Sequence, residues 1–344
     1  VRPATRLHSV DAARIAGIIA VLAIHTQPLA NPDSPVGSSF NAATIINQLA
    51  RFAVPMFFVL SGYFWAEKNR DPASLRARAL RSAWRLLVLF VAWSAFYVIA
   101  AGLFEMQRQG PAGFPKGIYG LLAWCARSPV RTLFQGPMEP LWFLASLATC
   151  FAIGAVLCSR PRMLLFVAIA LYATGLLGRA YSQTPIGFES GFNFRNGPFL
   201  GFLPFAAGYL LARRPPAGHY LAAGVGIFLS GLVMQFAETG LLHRYWGASL
   251  EQDFVAGTVL LGLGAALIAL SGARFLDVPW LARLGPLTLG IYASHMFFIS
   301  LLRPLALRYQ GIAWDLLHMA AVLGLACLFA WGASKNRFTA RFVM

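Results

Sequence analysis

Residues 11–26 read DAARIAGIIAVLAIHT. The stretch is apolar enough for lipid, yet an arginine stands near its start and a histidine eleven residues later. Eleven residues of α-helix turn about 1100°, three turns plus about 20°, and rise about 16 Å. Arg14 and His25 therefore share one stripe. Ionisable groups within a membrane span are costly and usually face a bundle interior or a watery cavity. One face of this helix is thus expected to line a cavity, with a fixed cation near the entrance and an imidazole deeper in. Asp11, three residues before Arg14, is placed to pair with it. Plainer readings exist for both: an arginine near a helix end snorkels to lipid phosphates, and a buried histidine serves helix packing through hydrogen bonds.

The rest of the chain is of the same kind. Its 344 residues are 58% hydrophobic and 12% charged, more apolar side chain than one water-soluble core can bury. Apolar runs of spanning length, roughly 17 to 25 residues, recur at about 10–30, 46–66, 83–103, 140–158, 162–178, 197–212, 219–238, 254–271, 284–303 and 312–332. The expected fold is an all-α integral membrane protein, a single bundle of about ten transmembrane helices. Residues 1–344 form one domain, with no repeat and no low-complexity tract.

The net charge of +16 would suggest nucleic acid in a soluble protein, so charge placement decides. With the N-terminus in the cytoplasm, inner segments hold 16 of the 28 Lys and Arg, outer segments nine, and Arg14, Arg51 and Arg85 fall within spans. That excess supports a multi-pass protein with both termini cytoplasmic. The outer segments balance their nine bases with six acids, so no nucleic-acid partner is expected. The basic residues ahead of the first run resemble a signal peptide, but Arg14, His25 and the PLANPDSP that follows argue for a retained span. Cys125, Cys150, Cys158 and Cys327 form no CxxC pair and read as packing residues, and no metal site is expected.

Four outer connections are large enough to form a vestibule: 30–45, 104–139, 181–196 and 242–253. Within the second, KGIYGLLAWCARS has the character of an interfacial or re-entrant helix. On the inner side, EKNRDPASLRARALRSAWR is the one strongly basic connection. Arg51, near the outer end of the second span, is a candidate for binding acceptor or oxyanion. Glu139 and Trp142, where the long outer loop enters the fourth span, suit hydroxyl binding and sugar stacking. Tyr292 and His295 either line the cavity or bond across helices. Ser61-Gly62 lacks an adjoining acid–base partner and reads as a close-packing pair.

Several of these stretches together resemble the acyltransferase 3 family of membrane enzymes, which O-acylate bacterial surface and exported glycans. The likeness rests on Asp11-x-x-Arg14-x10-His25, RFAVPMFFVLSGYF at 51–64, RALR and WRLLVLFVAW within 78–93, PLWFLASL at 140–147, FLGFLPFAAGYLLAR at 199–213 and LGIYASHMFFISLL at 289–302. Each motif is weak alone, and six in order cover nearly the whole chain. The resemblance implies transfer of an acyl group, usually acetyl from acetyl-coenzyme A as co-substrate, to a sugar hydroxyl, in the bacterial inner membrane. It implies that the arginine–histidine pair carries the activity, with His25 as base. It also implies an Arg-x-x-Arg motif at the third span, which spacing assigns to Arg78 and Arg81 and alignment on Trp93 to Ser82 and Arg85. The chain departs from the family at Met296, where proline commonly follows the matched histidine.

The chemistry agrees with that implication. A sugar hydroxyl attacks a thioester only as its proton is removed, a task suited to neutral histidine. The developing oxyanion needs a fixed donor or cation, and the phosphates of coenzyme A suit the forked donors of Arg14, Arg78, Arg81 and Arg85. The other partners expected are membrane lipids and a lipid-linked or polymeric glycan acceptor such as an exopolysaccharide or O-antigen precursor. A transporter or flippase of a glycan or lipid intermediate is the rival reading, since intramembrane arginine and histidine also mark transport paths. Such folds commonly carry two related halves, and none are visible here. The donor could also carry a longer acyl group.

Overall fold

A computed structural model of the chain describes residues 8–30, 33, 35–67, 71–213 and 219–344. The described residues form helices joined by connections of very different length, with no β-strand among them. The basic residues at 1–6, and Lys68 and Arg70 of the basic connection, lie outside the described residues.

Helix α1 (His8–Thr26) is the first span, and 61% of its apolar window is buried inside the protein. The second expected span is two helices, α2 (Ala42–Ala50) and α3 (Ala53–Glu67), rather than one. Pro55 explains the break. It has no N–H to donate, and its ring clashes with the carbonyl four residues back, that of Arg51. The Asn41 side chain starts α2 by accepting from Thr44 N at 2.8 Å.

Helix α4 (Pro72–Gln109) begins earlier than expected. Asp71 caps it, accepting from Ser74 N at 2.9 Å, and Pro72 occupies the first turn. Arg76, Arg78 and Arg81 therefore lie on a helix and not in a loop. At 38 residues it is about 57 Å long and overshoots the hydrocarbon core. Gly110, at φ 75°, ends it, and α5 (Gly113–Arg127) doubles back along it, so the KGIYGLLAWCARS stretch is helical. Helix α6 (Pro129–Gln135) and a 3-10 turn (Glu139–Leu141) lead into α7 (Trp142–Leu157).

The second half continues with α8 (Pro161–Leu177), α9 (Pro198–Ala212), α10 (Tyr220–Trp246) and α11 (Ala256–Leu270). It closes with α12 (Pro279–Leu284), α13 (Thr288–Arg308), α14 (Ile312–Ser334) and the short α15 (Ala340–Val343). Seven helical segments are long and apolar enough to cross a membrane. The other three expected spans coincide with α8, α9 and α11, of 15 to 17 residues. At 1.5 Å per residue they reach only about 22 to 26 Å, so length and composition support seven crossings and not the full ten.

Burial sorts these helices into a centre and a periphery. The windows of α1, of α2 with α3, and of α7 are 61 to 67% buried, against 17% for α10 and 22% for α14. Arg14 and His25 lie on one of the buried helices, α1, while α10, though mostly exposed, buries Gln235 and Thr239 on its inner face. The tightest contact joins α3 to α9. A Cβ on Gly62 would lie 2.0 Å from Phe205 O, and one on Gly208 would lie 1.9 Å from Val59 O, so both positions require glycine. The close-packing reading of Ser61-Gly62 agrees with this. The Ser61 hydroxyl bonds back to Phe57 O at 2.7 Å.

Candidate functional site

The stripe on α1 forms as the spacing requires. Arg14 and Ile18 line one cavity, and Val21 and His25 line another further along the same helix. Arg14 sits 3.6 Å from Asp11, which is 3% exposed. Gly285 makes room for that carboxylate, because a Cβ there would stand 2.1 Å from Asp11 Oδ1. Phe64 lies 5.8 Å from the Arg14 guanidinium carbon on another side. The arginine is thus positioned by neighbours rather than left to sweep the lipid surface.

Two cavities meet at Arg14. One of ≈ 280 Å³ is lined by Arg14, Ser61, Arg78 and Ser82, the other of ≈ 380 Å³ by Arg14, Ser61, Arg85 and Tyr292 among others. Arg78, Ser82 and Arg85 are spaced i, i+4, i+7, within about 60° of one another on α4. Arg81, about 60° from Arg78 on the far side, is exposed and lines neither. The structure therefore gathers Arg14, Arg78 and Arg85, and leaves Arg81 apart. Arg78 donates to Phe64 O at 3.2 Å, and Arg85 donates to the Met344 backbone oxygen.

At the other end of the stripe, His25 borders a small cavity of ≈ 50 Å³ together with Arg51, Trp142, Arg195, Asp253 and Tyr292. Because Pro55 ends α2 at Arg51, this guanidinium folds back on Asn47 Oδ1, at 2.8 Å and 3.1 Å, and reaches Asp253 at 3.3 Å. Asp253 also receives Arg179 at 2.7 Å and Arg195 at 3.5 Å. Arg195 in turn pairs with Glu139 at 2.9 Å and lies 5.2 Å from the Trp142 ring centroid. Burial by itself would raise the Asp253 carboxyl, but Arg195, Arg51 and Arg179 together hold it well below the usual carboxylate range. Burial opposes the Arg195 charge, and Asp253 and Glu139 more than restore it. Burial pushes Glu251 up in spite of Arg51 nearby. The result is a neutralised lattice whose cations cannot move independently.

Tyr292 and His295 are brought to the same place in different roles. The Tyr292 hydroxyl donates to Pro140 O, and its ring borders both the ≈ 380 Å³ cavity and the His25 cavity. His295 does not line the His25 cavity. It is fully buried behind His25, with ring centroids 5.3 Å apart. Its Nδ1 faces Tyr292 O, which can only accept, so that nitrogen carries the proton and Nε2 keeps its lone pair. Nε2 has no hydrogen-bond partner among the described residues.

Arg195, Asp253 and Arg179 join the site from connections between spans, where no helical periodicity in the sequence marks them. One signal was present: Arg195 and Asp253 each stand within two residues of an expected span end, at 197 and 254, and carry opposite charges. A fourth cavity, of ≈ 570 Å³, shares Glu139 and Arg195 with this lattice. Shared walls thus link the cavities in series, Arg14 joining the first two, Tyr292 the second to the third, and Arg195 the third to the fourth.

A helical membrane bundle whose interior holds several cavities lined in part by arginine, histidine and acidic side chains is the class of protein these observations define. The chain matches the family model described as an acyltransferase domain over residues 7–333, nearly its whole length. It belongs to the acyltransferase 3 family and is a multi-pass membrane acyltransferase. No curated protein and no solved structure matches it.

Proposed function

We propose that the protein is an O-acetyltransferase of the bacterial inner membrane, both termini cytoplasmic, moving acetyl from acetyl-coenzyme A to a sugar hydroxyl of an exopolysaccharide, O-antigen or lipid-linked glycan precursor. The observation that carries this reading is the series of cavities running from Arg14, Arg78 and Arg85 past His25 to Arg195. A polyanionic nucleotide fits the arginine end, where guanidinium forks match phosphate oxygens. The flexible pantetheine arm runs along the α1 stripe and delivers the thioester to His25, about 16 Å away.

At His25 the steps balance as follows. The imidazole takes the proton of the sugar hydroxyl as its oxygen attacks the thioester carbonyl carbon. The carbonyl oxygen becomes an oxyanion beside Arg51, whose position is set by Asn47 and Asp253. Collapse breaks the carbon–sulfur bond, and the imidazolium returns its proton to the leaving thiolate. No oxidant, metal or resident cofactor takes part, and acetyl-coenzyme A is a co-substrate. His295, its Nε2 lone pair directed to no protein donor, buttresses the His25 ring from behind.

Direct transfer is favoured over an acyl-enzyme because donor and acceptor approach one imidazole from opposite ends of the series. The test uses purified protein in lipid with labelled acetyl-coenzyme A. Thiol release that rises with glycan acceptor, intersecting double-reciprocal lines and no label on denatured protein are expected. Label held on His25 and discharged by acceptor would overturn the direct route, and vectorial glycan movement without thiol release would establish a transporter instead.

A further inference from the structure

The ≈ 570 Å³ cavity lies between α6 with the residues just after it and the 191–196 segment. It is within the size range of small-ligand sites, about 300 to 1,000 Å³. Its floor is built. Asn193 Oδ1 accepts from Arg195 N at 3.1 Å, Asn196 N donates to Asn193 O at 2.9 Å, and Arg195 and Asn196 both line the cavity. Phe192 anchors the segment against Phe134, Phe194 and Phe199, with ring centroids 5.4 to 5.9 Å apart, and also lines the cavity.

Two polar atoms there have no partner among the described residues. Asn196 is 1% exposed, and its Nδ2 donates to Gln135 Oε1 at 3.4 Å, which orients the amide and leaves Oδ1 unpaired. Arg195 Nε is a buried donor with no acceptor. Both atoms belong to residues that line the cavity, so its wall holds one unmet acceptor and one unmet donor. A carboxylate or phosphate oxygen cannot donate to Asn196 Oδ1, and an ammonium cannot accept from Arg195 Nε. A hydroxyl does both, and a pair of adjacent hydroxyls does so without strain. The charge balance points the same way: Arg195 is already matched by Glu139 and Asp253, and the remaining cation of the wall, Arg131, is exposed with its guanidinium 4.8 Å from the Trp124 ring.

We infer that this cavity is the acceptor subsite and takes a neutral hexose unit, Asn196 and Arg195 reading two adjacent hydroxyls while Phe192 covers an apolar sugar face. This rests on the acyl-transfer reading and adds the acceptor's class to it. Arg195 also borders the His25 cavity, so one residue belongs both to the wall of this subsite and to the surroundings of the proposed base.

The experiment uses the full chain in lipid nanodiscs without acyl donor. The probes are the methyl glycosides of glucose, galactose and mannose, with glucuronate as the charged comparison, and binding is read by saturation-transfer NMR. At least one neutral glycoside should bind, glucuronate should not compete better, and Asn196→Ala should weaken binding about tenfold, as expected for one lost hydrogen bond to a buried group. Deoxy analogues test the same contact on the unaltered protein. Removing either of two adjacent hydroxyls should cost about tenfold, whereas indifference to every deoxy position would overturn the inference even if Asn196→Ala folds poorly. Tighter binding of glucuronate, or no binding of neutral sugars, would also overturn it. Thiol release from acetyl-coenzyme A on the same preparation separates the two readings: release without sugar binding removes only the subsite, and sugar binding without any acyl transfer removes only the enzyme assignment.

Discussion

The proposed mechanism places its chemistry on His25 and its donor site on Arg14 of the same helix and Arg78 and Arg85 of α4. His25→Ala should reduce acyl transfer by about a hundredfold or more, as for loss of a general base. Coenzyme A binding by calorimetry should persist in that variant, because the proposed phosphate site at Arg14 lies about 16 Å from His25 along α1. Near-normal turnover would remove His25 from the mechanism. The structure also sharpens the arginine series. Arg14→Ala, Arg78→Ala and Arg85→Ala should each weaken coenzyme A binding by about tenfold or more, since each removes a charge-assisted bond. Lysine should rescue incompletely for want of the fork. Arg81→Ala should have no effect on affinity, since Arg81 borders neither of the cavities that meet at Arg14. Equal losses at Arg81 and Arg78 would mean that the phosphates bind elsewhere on α4.

Helices position these residues through two devices, a proline break and a glycine contact. Pro55 splits the second span so that Arg51 ends a helix and turns toward Asp253. The α3–α9 contact then fixes the wall opposite α1. Gly62→Ala would set a methyl 2.0 Å from Phe205 O, a backbone atom that moves only if the helices part. A loss of about 1 to 3 kcal/mol or more is expected, seen as a lowered Tm in detergent. Gly226→Ala, where nothing lies within 4 Å of the added methyl, serves as the comparison and should be neutral or slightly stabilising. Equal effects at the two glycines would show that the close packing carries no weight.

For the whole molecule, the Asp253 lattice ties α2, the 179–195 connection and the start of α11 into one charged plug beside His25. Asp253→Asn leaves buried guanidinium groups without their counter-charge and should cost on the order of 3 kcal/mol. The pH dependence has a definite sign. A carboxylate whose folded pKa is depressed contributes stability that is complete above its unfolded pKa, about 3.9, and is lost as pH falls through the folded value. The Tm of the native protein should therefore drop below about pH 4 more steeply than that of Asp253→Asn. Parallel curves would show that Asp253 is not held in its charged form by the lattice. The sequence by itself determined the membrane class, the family, the Arg14–His25 stripe and the candidate pairing of Asp11 with Arg14, because helical periodicity and the cost of burying charge act within one segment. It also carried Trp142 and Glu139 as a pair at one span end. Only the tertiary structure decided that Arg78 and Arg85 line the two cavities that meet at Arg14 while Arg81 lines neither, that the second span breaks, and that Arg195 and Asp253 join the site from loops 58 residues apart. Those depend on which helix face meets which neighbour and on how loops fold over the bundle end, and no local pattern encodes either.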